Sequence, residues 1–180
     1  MLDLGTSLPR VHPVDTTGGA EVELTTLSKG KKGLVVLFLC NHCPFVVHIR
    51  RELVRAAHEA LDRGLAVVAI NSNDVETHPQ DGPTHMARLA KDEAWRFPFL
   101  FDPTQEVARA FHAACTPDLY VFDANLRLVY RGQFDDSRPS NGKPVTGRDL
   151  RAAIEAVASG KAPSADQRPS VGCNIKWRRR

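Results

Sequence analysis

No apolar run in this sequence approaches the roughly 18 residues that a membrane span requires. The longest, Leu34 to Cys40, has the length of a buried strand instead. Charge of one sign is also scarce. Twenty-four Lys and Arg face 21 Asp and Glu, a net +3, and part of that excess sits in the last five residues. Such a balance excludes the dense basic face of a dedicated nucleic-acid binder. The opening Met1-Leu-Asp-Leu-Gly5 has no basic segment followed by an apolar one, as a secretory leader would. A reducing cytoplasm is therefore the expected compartment. No internal repeat or low-complexity block breaks the chain, and 180 residues with 42% hydrophobic content suit one α/β domain with a real core.

Cysteine is sparse too, with four in all. In a reducing compartment they are expected to be reactive, metal-bound or simply buried rather than structural staples. Spacing separates them. Cys40 and Cys43 lie three apart, whereas Cys115 and Cys173 stand alone.

What is present reads as alternating strands and helices. Glu21–Leu27 partly alternates apolar and polar residues and predicts a short strand. Leu34–Leu39 and Leu65–Ile70 are uninterrupted apolar runs, the pattern of strands buried on both faces. Between them Val46, Ile49, Leu53, Ala57, Ala60 and Leu61 recur at a helical period from Phe45 to Leu61, and Gly64 follows as a helix stop. A helix over Thr84–Ala94, a strand near Phe97–Phe101 and a helix over 104–113 continue the alternation. Leu119–Phe122 and Leu126–Tyr130 flank Asp123-Ala-Asn125 as a hairpin, and residues 147–158 form the last helix. The expected fold is α/β, a central mixed sheet flanked by helices on both faces. Residues 1–160 form the domain, and 161–180 a loosely attached C-terminal extension.

Leu39-Cys40-Asn41-His42-Cys43-Pro44 falls where the first long strand passes into the first long helix. Unpaired amides and a partial positive charge at a helix start favour thiolate, the form that attacks disulfides. This reading puts Cys40 near the N-cap as the attacking thiol, with Cys43 a turn later to resolve the mixed disulfide. His42, as a cation, is expected to tune Cys40 below the free thiol value of about 8.5. A zinc site through Cys40, His42 and Cys43 needs a further ligand such as His48, His78 or Cys173, and no second C-x-x-C is present. Two merely buried cysteines in a strand–helix turn remain the plain alternative.

The chain resembles the thioredoxin-like redoxin superfamily, which includes peroxiredoxins and thiol–disulfide reductases. The likeness runs from Leu4-Gly5, Pro9, Gly18-Gly19, Leu24, Leu27 and Gly30-Lys31 through Cys40-Asn-His-Cys43 to Thr116-Pro117. It is closest to a bacterial Cys-Asn-His-Cys subgroup that shares Cys115-Thr-Pro-Asp118, Asp135-Asp-Ser-Arg-Pro139 and Gly172-Cys-Asn-Ile-Lys-Trp177. The resemblance implies a thioredoxin-like fold and a cis Pro117. It also implies a substrate groove formed by Thr116 and Pro117, with backbone hydrogen bonds offered to an extended substrate. Two departures argue against an ordinary thioredoxin: Leu39 stands where Trp is usual, and Asn41-His42 replaces Gly-Pro. The peroxiredoxin Pro-x-x-x-Thr-x-x-Cys pattern is absent as well.

The expected chemistry is therefore dithiol–disulfide exchange with a protein or small-molecule disulfide and an electron donor, needing no metal or organic cofactor. Thiol peroxidase activity and metal binding or delivery are the alternatives. Cys115 reads either as a small buried residue or as a third thiol, and Cys173 as a mobile resolving thiol or a bystander. Asp135–Pro139 is expected to cap a loop, His78 and His85 to be solvated, and Trp177 to dock beside a solvated Arg178–Arg180 end.

Overall fold

The two uninterrupted apolar runs become the centre of the sheet because neither face of them is left to solvent. A computed structural model describes residues 2–179. Strands β2 (Gly33–Phe38) and β3 (Ala66–Asn71) are buried at every position and pair in parallel, Leu34 opposite Ala66 and Phe38 opposite Ile70. β4 (Phe99–Phe101) joins β3 in parallel, and the short β1 (Val14–Asp15) closes that edge antiparallel to β4. On the other side β6 (Asp118–Asp123) runs antiparallel to β2, and β7 (Leu128–Gly132) antiparallel to β6. The order is β1-β4-β3-β2-β6-β7, with a separate two-stranded sheet of β5 (Cys115–Thr116) and β8 (Cys173–Asn174).

Helices cover both faces, as expected. On one, Val46, Ile49, Leu53 and Ala57 of α2 (Pro44–Asp62) pack with Met86 of α3 (Pro83–Asp92) and Leu150, Ala153 and Ile154 of α5 (Arg148–Ala158) against Val35, Leu37, Val67 and Val121. On the other, Leu24 of α1 (Leu24–Leu27) and Val107 and Ala108 of α4 (Glu106–Ala110) pack with Phe111 against Val36, Phe38, Ile70 and Tyr120. Among the described residues no helix is long and apolar enough to cross a membrane.

Two expectations need correction. Glu21–Leu27 is not a strand: only Glu21 makes a bridge, to Val14, and Leu24–Leu27 is a helical turn. Leu24 and Leu27 are three apart and so share a helical face, which packs on the second core. Nor is the extension loose. Ile175 is buried, and its N–H donates to the Ala114 carbonyl at 3.1 Å. Upstream, Gln133 N–H donates to the Arg168 carbonyl at 2.8 Å. Downstream, Trp177 lies under the Arg109 guanidinium, 4.7 Å from ring centroid to Cζ. Arg180 lies outside the described residues.

Candidate active site

The turn from β2 into α2 places the four residues of the Cys-Asn-His-Cys segment, and Pro44 decides the register. Proline at the first helical position leaves the residue before it as N-cap, since its missing N–H was unpaired there anyway. The N-cap is accordingly Cys43, not Cys40. Both residues are buried, Cys40 at 1% exposure and Cys43 at 0%.

The loop facing them is Cys115-Thr116-Pro117, whose Thr116–Pro117 peptide is cis. Thr116 touches both thiols. Its hydroxyl lies 3.3 Å from Cys40 Sγ, and its carbonyl 3.1 Å from Cys43 Sγ, accepting the S–H when Cys43 is protonated. The loop is itself pinned from behind. Asp118 accepts from Arg131 Nη2 at 3.1 Å, from Tyr120 O–H at 3.0 Å and from the Ala114 N–H at 3.4 Å.

The two thiols share one proton unequally. Hydrogen bonding from Cys40 holds Cys43 down to about 4, against burial, with the Val46 N–H and the Cys173 N–H and thiol adding to the effect. Cys40 is pushed up, first by its bond to the Cys43 sulfur, then by burial and the Asp81 charge. The Thr116 hydroxyl and Cys43 N–H oppose this. These directions favour charge on Cys43 in the reduced state, opposite to the sequence expectation for Cys40. Cys43 stands at the N-cap of α2, where the partial positive charge of the helix start favours an anion.

His42 is the second correction. Its Nδ1 lies 2.7 Å from Asp81 Oδ2, so an imidazolium there is largely neutralised by a fully buried carboxylate and cannot act on Cys40 as an isolated cation. Asp81 was not anticipated. It sits at the end of a 3-10 turn, Pro79–Asp81, and its carboxylate also accepts the Asn41 N–H at 2.8 Å, the His42 N–H at 3.3 Å and Asn73 Nδ2 at 2.9 Å. One buried anion therefore holds the whole Asn41–His42 turn in place. His78 stacks on His42 at 4.9 Å between centroids, while His85 is exposed.

Removing the Asp81 charge is expected to ease ionisation of Cys40. In the Cys43→Ser background, where one thiol of the pair titrates, Asp81→Asn should move the pH midpoint of Cys40 alkylation downward and speed alkylation at neutral pH several-fold. An unmoved or raised midpoint would show that Asp81 acts only as a structural acceptor.

Cys40, His42 and Asp81 offer ligand atoms within 4.8 Å of one another, a sulfur, a nitrogen and an oxygen. Four hydrogen bonds already occupy the Asp81 carboxylate, and a tetrahedral ion would need a fourth ligand as well as their displacement. The donor set is thus that of a hydrogen-bonded turn. Burial and the Asp118 charge push Cys115 up to about 12, leaving a neutral thiol. Cys173 instead packs against the core cluster that contains Cys40 and Cys43, directly opposite Thr116 in the β5–β8 pair. Asp135 is the expected loop cap, accepting the N–H groups of Ser137, Thr146 and Gly147 at the start of α5.

Comparison with known proteins places this geometry in a lineage. The model of the AhpC/TSA family matches residues 5–131. An uncharacterized conserved protein from Geobacillus kaustophilus is 48% identical, with a TM-score of 0.94 over 99% of this chain and 94% of that one. A hypothetical protein from Sinorhizobium meliloti 1021 is 47% identical, also with a TM-score of 0.94, over 99% and 96%. A thiol:disulfide interchange protein of the thioredoxin family from Chlorobium tepidum TLS shares the fold at 18% identity, with a TM-score of 0.63 over 88% and 99%. None of the curated proteins matches. With its mixed sheet, its Cys-Asn-His-Cys turn at a helix start and its cis Thr116–Pro117 facing that turn, the chain belongs to the AhpC/TSA family and has the thioredoxin-like fold of the redoxins.

Proposed function

We propose that the chain is a thiol–disulfide oxidoreductase whose redox centre is Cys40 and Cys43. The observation that carries this reading is the geometry of the pair: two buried thiols at the start of α2, both met by the one residue before a cis proline. Cys43 thiolate attacks one sulfur of a substrate disulfide, and the other leaves as thiolate. Cys40 loses its proton and attacks the Cys43 sulfur of the mixed disulfide. The second substrate sulfur is released with that electron pair, and Cys40–Cys43 is left oxidised. Two electrons move per cycle, and an external dithiol or disulfide partner resets the pair. The substrate is a protein or small-molecule disulfide lying along Thr116 and Pro117.

Peroxide reduction is the second reading, favoured by the helix-capping position of Cys43 and by the family. There the Cys43 thiolate would attack the terminal peroxide oxygen, the O–O bond breaking to release an alcohol or water, and Cys40 would then attack the Cys43 sulfur and expel the bound oxygen as water. Equilibration of the protein with glutathione redox buffers tests the leading reading. It requires a reversible Cys40–Cys43 disulfide, and its absence at every poise would remove the proposal.

A further inference from the structure

β8 lies along the backbone edge that the resemblance reserves for an extended substrate. Thr116 pairs with Cys173 and Cys115 with Asn174, so the protein's own tail fills that edge. A glycine makes the approach possible. A Cβ on Gly172 would stand 2.6 Å from the Thr116 carbonyl carbon and closer still to its oxygen, with Pro117 N at 3.0 Å. Any other residue at 172 would lift the tail off the loop.

The docking is anchored on both sides of that glycine. Before it, Ser170 Oγ donates to the Gly132 carbonyl at 2.7 Å. After it, the Lys176 N–H donates to Asn73 Oδ1 at 2.9 Å, and the Lys176 carbonyl accepts the Asp74 N–H at 2.8 Å. Between the anchors, Cys173 packs against the core cluster that holds Cys40 and Cys43, in register with Thr116, whose hydroxyl and carbonyl meet those two sulfurs. Cys173 itself stays part-exposed. A slot lined by Phe45, His48, Pro117, Phe134, Ser170 and Val171 continues beside the loop, narrowed by the same tail.

We propose that Cys173 is a third redox thiol of this centre, delivered by a tail strand that occupies the substrate edge. The inference rests on the Cys40–Cys43 exchange reading and extends it. Once Cys40–Cys43 has formed, Cys173 loses its proton and attacks the Cys43 sulfur. The Cys43–Cys173 bond forms, the Cys40–Cys43 bond breaks, and its electron pair leaves on Cys40, which takes up the proton. No net oxidation occurs; the disulfide moves under the tail and Cys40 is returned as a free thiol. Cys43 belongs to both disulfides, so the two alternate. An incoming protein strand must displace β8, whereas a small disulfide need only reach the sulfurs.

The test uses the full chain oxidised with oxidised glutathione, blocked with an alkylating maleimide and mapped without reduction. Cys40→Ser should yield Cys43–Cys173 as its principal product, because the docked tail supplies Cys173 at high effective concentration. Adding Gly172→Ala to that variant should lower the Cys43–Cys173 yield about tenfold by abolishing that proximity. Gly172→Ala alone should still form Cys40–Cys43, which shows that the centre has folded. If the wild type forms Cys40–Cys43 while Cys40→Ser gives only glutathionylated Cys43, the third-thiol role is overturned and the underlying exchange stands. If neither link forms in any of these proteins, both fail.

Discussion

Cys43→Ser is expected to slow disulfide exchange on the order of a thousandfold, while the double variant Cys40→Ser/Cys173→Ser, which has neither resolving thiol, carries out the first step and stalls as a stable mixed disulfide. The asymmetry follows from where the charge rests. Cys43 is the N-cap of α2 and is held down to about 4, chiefly by hydrogen bonding from Cys40. Cys40 sits beside the fully buried Asp81 carboxylate and is pushed up. A group whose pKa is depressed is charged above that value. Reactivity of Cys43 should therefore be level across neutral pH and fall as pH drops through about 4, when the sulfur takes up its proton. Trapping a substrate on single-cysteine variants and resolving the adduct by mass decides it. A stable adduct on Cys43→Ser and none on Cys40→Ser/Cys173→Ser would return the attack to Cys40.

Asp118→Ala is expected to destabilise the fold by about 3–5 kcal/mol, read as a fall in the urea midpoint, because it strips one partner from a buried ion pair. The side chains of Arg131 and Asp118 are 7% and 3% exposed. Nε and Nη1 of Arg131 already lack a protein partner among the described residues. Without Asp118 the guanidinium keeps the His112 carbonyl at 3.0 Å and the face of Tyr120, too little for a buried cation. Function should follow stability here. Asp118 directly follows Pro117 and fixes Ala114 on the other side of the loop, so the surviving folded protein should hold Thr116 less firmly against the two thiols. Asp118→Asn, which keeps an acceptor, should cost less. A loss below about 1 kcal/mol for Asp118→Ala would mean that the pair contributes as little as an exposed one.

The scaffold was legible because its signals are local. Leu34–Phe38 and Ala66–Ile70 have no polar residue to place on a solvent face, and that alone marks them as central strands. The α2 period and the β6–β7 hairpin were equally plain. Where two periods fit the same residues, the reading failed: Val22 and Leu24 alternate as a strand would, but Leu24 and Leu27 are also one helical turn apart, and packing chose the turn.

The site was legible in its residues more than in their roles. Pro44 carried the signal that makes Cys43 the N-cap, because a proline at the first helical position puts the cap on the residue before it. Asp81 left no such mark. It lies in Pro79-Gln-Asp-Gly-Pro83, a stretch without periodicity, and its partners Asn41 and His42 are 40 and 39 residues away. Only the fold brings them together. The tail was misjudged for a related reason. Much of its docking uses the tail's own backbone groups, which leave no side-chain pattern, and its Pro/Ser-rich start suggested a loose segment. Gly172 was the one residue that betrayed a close approach.

The central claim is that Cys40 and Cys43 interconvert between dithiol and disulfide, with the reduced state stabilised by the Cys43 thiolate. Its most direct test is the reduction potential of the pair, measured by equilibrating Cys173→Ser with glutathione buffers of graded poise and counting the alkylated thiols at each. One reversible two-electron transition is predicted, displaced from the roughly −270 mV of thioredoxin towards the roughly −120 mV of a thiolate-stabilised oxidant. Two thiols that stay alkylatable at every poise, or a transition at or below about −270 mV, would contradict it.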